Sequence, residues 1–111
     1  MNKKEIKKEL FNKLMQVHAL WSFKEPEINR ISDEMLIEKV LLHLDIQDIN
    51  RLFSIFPKKK IKEVWVHQII PLEPQYHSYN ILFSLLYFNI KNPNRYIKMR
   101  SNQYVKSLLQ K

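Results

Sequence analysis

Apolar side chains recur every three or four positions along most of the chain, which is the spacing of one helix face. Ile6, Leu10, Leu14, Val17 and Trp21 stand between Lys- and Glu-rich turns and predict a first helix over 3–21, with Glu9 and Lys13 at i and i+4 as a supporting pair. The stretch 22–31 contains Pro26 and reads as a loop. Ser32 is a good N-cap, and Asp33 and Glu34 follow it where the positive end of the helix dipole favours acids. The second helix runs from there to about Leu44 and buries Leu36, Ile37, Val40, Leu41 and Leu44. Asp45 caps a third helix, with Asp48 in its first turn and Ile46, Ile49, Leu52, Phe53 and Phe56 on one face.

Pro57 fits the first position of a fourth helix whose stripe is Ile61, Val64, Trp65 and Ile69. A strand over 63–70 is the competing reading, because Val64, Val66, Ile69 and Ile70 favour extended backbone, but no second strand is evident to pair with it. Pro71 and Pro74 punctuate a loop before a fifth helix over 75–88. There Leu82, Leu85 and Leu86 are expected inward, with Ile81, Phe83 and Phe88 making the helix apolar nearly all round, as a central helix is. Asn89 is placed to close it in the left-handed conformation. Asn92-Pro93 then opens a sixth helix marked by Tyr96, Ile97, Tyr104, Val105, Leu108 and Leu109, with a break near Ser101-Asn102. These elements predict an all-α fold, a single compact bundle of five to six short helices in one domain, 1–111. Its expected core is Trp21, Leu36, Val40, Leu41, Leu52, Phe53, Val64, Leu82, Leu85 and Leu86.

Composition narrows what such a bundle does. The 111 residues include no glycine and no cysteine. Without glycine the phosphate-cradling loops, the dinucleotide fingerprint and the nucleophile elbow are excluded, since each needs backbone at positive φ or in close approach to a ligand. Without cysteine there is neither a disulfide framework nor a thiolate nucleophile. The net charge is +8. It is unevenly spread: residues 32–48 are net acidic, whereas 49–70 hold five bases against Glu63 and 71–111 hold six against Glu73. An anionic partner is the natural reading. The amino-terminal stretch is not an apolar targeting signal and no apolar run is long enough to span a membrane, so the expectation is a cytoplasmic protein with no membrane partner.

Catalytic chemistry finds little support in the sequence. His18, His43, His67 and His77 show no metal-ligand spacing, although His67 and His77 have the option of meeting across a loop. The acid pairs Asp33-Glu34 and Asp45/Asp48 are explained by helix starts. The expectation is therefore a non-enzyme with no metal, no cofactor and no small-molecule substrate. Two surfaces remain. Lys58, Lys59, Lys60 and Lys62 crowd the start of the fourth helix, close behind the third, and suit phosphate contact in a helix-turn-helix-like arrangement. Arg95, Tyr96, Arg100 and Tyr104 place on one carboxy-terminal segment the residue types that dominate protein interfaces.

Residues 20–100 also carry a resemblance. Leu20-Trp21-Ser22-Phe23, Leu36-Ile37-Glu38-Lys39-Val40-Leu41, Asp48-Ile49-Asn50-Arg51-Leu52-Phe53, Lys60-Ile61-Lys62-Glu63-Val64 and the run from Asn80 to Ile90 resemble a family of small bacterial proteins. Members of that family are encoded beside nucleotidyltransferase-like toxins of the AbiEii type and are treated as their antitoxins. The family often has glycine where Phe56-Pro57 stands here. The resemblance implies a protein that binds and neutralises a cognate toxin, with Arg95, Tyr96, Arg100 and Tyr104 as the partner-binding residues. The alternative is a DNA-binding regulator, acting on a toxin-antitoxin operon through Lys58, Lys59, Lys60 and Lys62.

Overall fold

The structure, a computed structural model, describes residues 2–20 and 31–110. Six α-helices and no strand are found among them: α1 (Lys3–Gln16), α2 (Asp33–His43), α3 (Ile46–Ile55), α4 (Lys58–Val64), α5 (His77–Leu86) and α6 (Pro93–Leu109). The fold is thus an all-α bundle of short helices. The expected core residue Trp21 and nearly all of the proline-bearing loop lie outside the described residues. No described helix is long and apolar enough to cross a membrane.

Capping sets the boundaries. Ser32, Asp45 and Asn92 each accept a hydrogen bond from the backbone N–H three residues on, of Met35, Asp48 and Arg95. Asn2 does the same for α1, from Glu5. That first helix ends at Gln16, five residues before its predicted end, because His18 turns into the left-handed region at φ 57°. The Ala19 N–H then bonds the Leu14 carbonyl and His18 N–H that of Met15, the paired bonds of a Schellman stop, with Ala19 and Leu20 turned into the core. Asn89 has the expected positive φ, 54°, after α5. Pro57 lies one position outside α4 and caps it, its carbonyl accepting from Lys60 and Ile61.

The chain packs as two units, Met1–Ile61 and Lys62–Lys111. In the first, α1, α2 and α3 pack pairwise around Leu10, Leu14, Ile37, Val40, Leu41 and Leu52, all almost fully buried. Phe53 is only half-buried. Glu9 and Lys13 both reach from α1 to α3: Lys13 Nζ lies 2.8 Å from Asp48 Oδ1, and Glu9 pairs with Arg51. Asp48 is buried, so beyond its place in the first turn of α3 it fastens α1 to that helix. Asp33 accepts from Lys7 at 2.8 Å and lies 3.5 Å from Lys60, and these two ammonium groups hold its carboxyl below the usual carboxylate range, Lys7 foremost.

In the second unit the chain after α4 stays helical but widens into a π turn over Trp65–Ile69, followed by a 3-10 turn over Ile70–Leu72. No strand forms at 63–70. The Ile70 N–H bonds the Trp65 carbonyl five residues back. Widening aligns Val64 with Ile69 and Trp65 with Ile70, and all four are buried, whereas a regular helix would have turned Gln68 inward. Trp65 stacks on Phe88 (centroids 4.8 Å apart) and on Tyr96 (5.9 Å).

Helix α5 corrects the predicted core. Leu82, Leu85 and Leu86 are exposed, at 39%, 58% and 53%, while Asn80, Phe83 and Ser84 face inward. The reason is polar. Trp65 is fully buried and its indole N–H needs an acceptor, which Asn80 Oδ1 provides at 2.9 Å. Asn80 Nδ2 donates in turn to Glu73 Oε2 at 3.1 Å, and Ser84 Oγ bonds the Asn80 carbonyl at 2.7 Å. In a helix apolar nearly all round, this network and not the leucine spacing chooses the buried face.

Candidate partner-binding surface

Helix α6 starts from a complete cap, with Asn92 accepting from the Arg95 N–H and Pro93 at its first position, and it runs unbroken through Ser101-Asn102. Only Ile97 is buried. The core-facing stripe that begins at Ile97 continues along the helix as Tyr104, Val105 and Leu108, but there no described element covers it: these are exposed, and Leu109 is 80% exposed. The last two turns of α6 therefore present an apolar stripe to solvent. The bases Arg95, Lys98, Arg100 and Lys106 are distributed along the same helix, which has no acid.

The four residues singled out on α6 divide between two faces. Tyr96 and Arg100 form one assembly, with the guanidinium 5.4 Å from the phenol centroid, Lys62 Nζ 5.7 Å from it and Trp65 stacked against the ring. The Tyr96 hydroxyl and Arg100 Nε are buried and have no hydrogen-bond partner among the described residues. Tyr104 adjoins this assembly across a cleft of ≈ 200 Å³ that it lines with Arg100, Gln103, Ser107 and, from the π turn, Val66 and His67. Arg95 lies on the other face, in a groove with Lys98, Met99, Asn102, Gln103 and Lys106.

The four lysines of the other candidate site are not equivalent. Lys58 and Lys59 are exposed. Lys60 is held by the start of α2, 3.5 Å from Asp33 and 3.6 Å from Glu34, and lies over the Phe56 ring. Lys62 lies over Tyr96. Two of the four ammonium groups are thus engaged inside the protein, and α4 itself is only seven residues long.

No group of three or more metal-ligating side chains occurs among the described residues. His67 and His77 do not meet; they line different clefts. Burial, with some repulsion from Lys39, depresses the pKa of His43. His77 goes the other way. Its Nδ1–H donates to Glu73 Oε1 at 2.5 Å, and that bond and the carboxylate charge raise the imidazole above its ordinary value, with a smaller contribution from the Asn94 side chain. The pair gave some warning in the sequence, as Glu and His four residues apart, but Pro74 between them argues against the helical register that would normally join them. No protein family, curated protein or solved structure matches the chain.

Proposed function

We propose that the chain is a non-catalytic binding protein of antitoxin type, which lays α6 into an acid-rimmed apolar groove of a partner protein. The partner named by the sequence resemblance is a nucleotidyltransferase-type toxin, and neutralisation is by direct occlusion. One observation supports this reading above the others: on α6, bases with no acid on their own helix lie beside apolar side chains that are left exposed. In the first unit, Lys7, Lys13, Arg51 and Lys60 all have carboxylate partners. On α6, Tyr104, Val105, Leu108 and Leu109 are exposed among bases on a helix without an acid. A basic amphipathic helix of this kind fits groove docking, in which the apolar stripe supplies affinity and the flanking charges supply orientation and on-rate.

The DNA-binding alternative through Lys58, Lys59, Lys60 and Lys62 has less support, because Lys60 and Lys62 are already committed to Asp33, Glu34 and Tyr96. Co-expression with the toxin tests the proposal. Tyr104→Ala with Leu108→Ser changes only exposed side chains and is expected to abolish rescue and co-elution while far-UV circular dichroism stays unchanged. Losing two central anchors at about 2 kcal/mol each corresponds to roughly a thousandfold in Kd. Rescue at the wild-type level by this variant, with the complex still co-eluting, overturns the proposal. A gel shift with the promoter fragment, lost in Lys58→Ala/Lys59→Ala, would move the reading to the regulator.

A further inference from the structure

We propose that the cleft between the segment leading into α5 and the middle of α6 binds a small phosphomonoester. This cleft, ≈ 320 Å³, is lined by Glu73, His77, Asn94, Ile97, Lys98, Ser101 and Asn102. It is separate from the Tyr104 stripe and does not rest on the partner-binding reading.

The lining is a set of donors. His77 and Lys98 are cationic or readily so, Asn94 and Asn102 carry amide N–H groups, and Ser101 a hydroxyl. The one acid in the cleft is not available to a cationic ligand. Glu73 is 12% exposed, and both its oxygens are taken, Oε1 by His77 and Oε2 by the buried amide of Asn80. Asn80 is itself fixed by the indole of Trp65, so the carboxylate is anchored from the core outward, holds the imidazole in place and favours its protonated form. Glu73 is thus a positioning residue for His77. With His77 protonated, Glu73, His77 and Lys98 leave the site one positive charge in excess, in a unit whose only acids are Glu63 and Glu73.

Five donors exceed what the two oxygens of a carboxylate accept well, and they suit the three non-bridging oxygens of a phosphate. The volume is at the lower end for small-molecule sites, enough for the phosphate and one ring-sized group against Ile97, and too small to follow a polymer backbone.

The probe is phenyl phosphate, titrated into the full chain and followed by amide chemical shifts. Saturable shifts confined to Asn94, Ser101 and Asn102 are expected, with Kd in the roughly millimolar range for so open a site, and Lys98→Met should weaken binding about tenfold. The pH dependence separates His77 from the ligand. The phosphate gains its second charge near pH 6, whereas His77 loses its charge as pH rises; Glu73 and Asn94 favour its protonation, and Lys98 is the other cation lining the cleft. His77→Gln is therefore expected to bind about tenfold more weakly than wild type near pH 6, and the difference should shrink as pH rises through the raised His77 value. Acetate binding as tightly as phenyl phosphate overturns the proposal, as do shifts that persist in His77→Gln/Lys98→Met. So does the absence of any saturable shift. An oligonucleotide that displaces phenyl phosphate at much lower concentration overturns the monoester assignment in favour of a phosphodiester. His77 and Lys98 are both exposed, so neither substitution endangers the fold.

Discussion

Asn80 is the residue on which the second unit turns, and Asn80→Ala is the change that tests this most directly. The side chain is fully buried, accepts from the equally buried Trp65 indole at 2.9 Å and donates to Glu73 at 3.1 Å. Truncation leaves the indole N–H without an acceptor in a site water does not reach, which costs about 1–3 kcal/mol. Glu73 loses one charge-assisted donor, but it is partly exposed and water replaces some of that bond, so the further loss is about 1 kcal/mol. A total of about 3 kcal/mol follows, or roughly 12–24 °C in the melting temperature of a chain this size. Urea unfolding followed by circular dichroism measures it. The sharper readout is the double-mutant cycle with Trp65→Phe, which removes the donor at nearly constant shape. If the indole–amide bond dominates, Trp65→Phe in the Asn80→Ala background costs less than in wild type, with a coupling of about 1–2 kcal/mol. Strict additivity of the two changes, or a loss below about 1 kcal/mol for Asn80→Ala, would refute the claim that this network chooses the buried face of α5.

Three further outcomes are expected. Asn89→Gly should leave the melting temperature unchanged or raised and Asn89→Ala should lower stability by about 1 kcal/mol, because the position has φ 54° and alanine tolerates that region poorly; equal melting of the two variants would contradict it. Asp48→Ala removes the buried carboxylate that receives Lys13 and should cost about 1–2 kcal/mol, less than a fully buried pair because the freed lysine reaches solvent, measured by urea unfolding. The raised pKa of His77 implies that the stabilisation from its pair with Glu73 is complete below pH 6.5 and is lost as pH rises through the higher folded-state value. Melting temperature against pH should therefore fall over that interval in wild type and fall less in His77→Gln, and parallel curves would exclude the pair as a contributor.

Much of this architecture was legible before any coordinates. Ser32, Asp45 and Asn92 announce helix starts through their own side chains, and Asn89 announces a stop, because capping is a local interaction between neighbours in sequence. His18 was not legible as a stop: no feature of the α1 stripe distinguishes it from a surface position, and its left-handed backbone is fixed by what Ala19 and Leu20 bury. The inward face of α5 was missed for a related reason. Period 3.6 selects a face only where the opposite face is polar, and the helix His77–Leu86 offers apolar side chains in every direction. The two polar residues that break the pattern, Asn80 and Ser84, read as surface until the unpaired indole of Trp65 is brought to them. Of the candidate site, the residue types on α6 were visible in the sequence, but their division into two faces was not, nor was the convergence of Glu73, His77 and Lys98 on one cleft. Convergence from separate elements leaves no spacing rule behind.

The charge is where sequence and structure differ most usefully. A net charge of +8 describes a basic protein, yet four bases of the first unit are answered by carboxylates there: Asp33 takes Lys7 and Lys60, Asp48 takes Lys13, and Glu9 takes Arg51. The acidic stretch 32–48 that looks anomalous in the sequence is the counter-charge that holds three helices together. In the second unit no such counter-charge exists along α6. The second unit, with seven bases against Glu63 and Glu73, accordingly carries the larger share of the excess charge, and four of those bases lie on α6. Salt should therefore weaken association with an acidic partner through α6, mainly by slowing the on-rate, while it leaves the largely buried packing of the first unit nearly untouched. Steep salt dependence that survives neutralisation of Arg95 and Lys106, and disappears with Lys58 and Lys59, would place the working surface at the start of α4 instead.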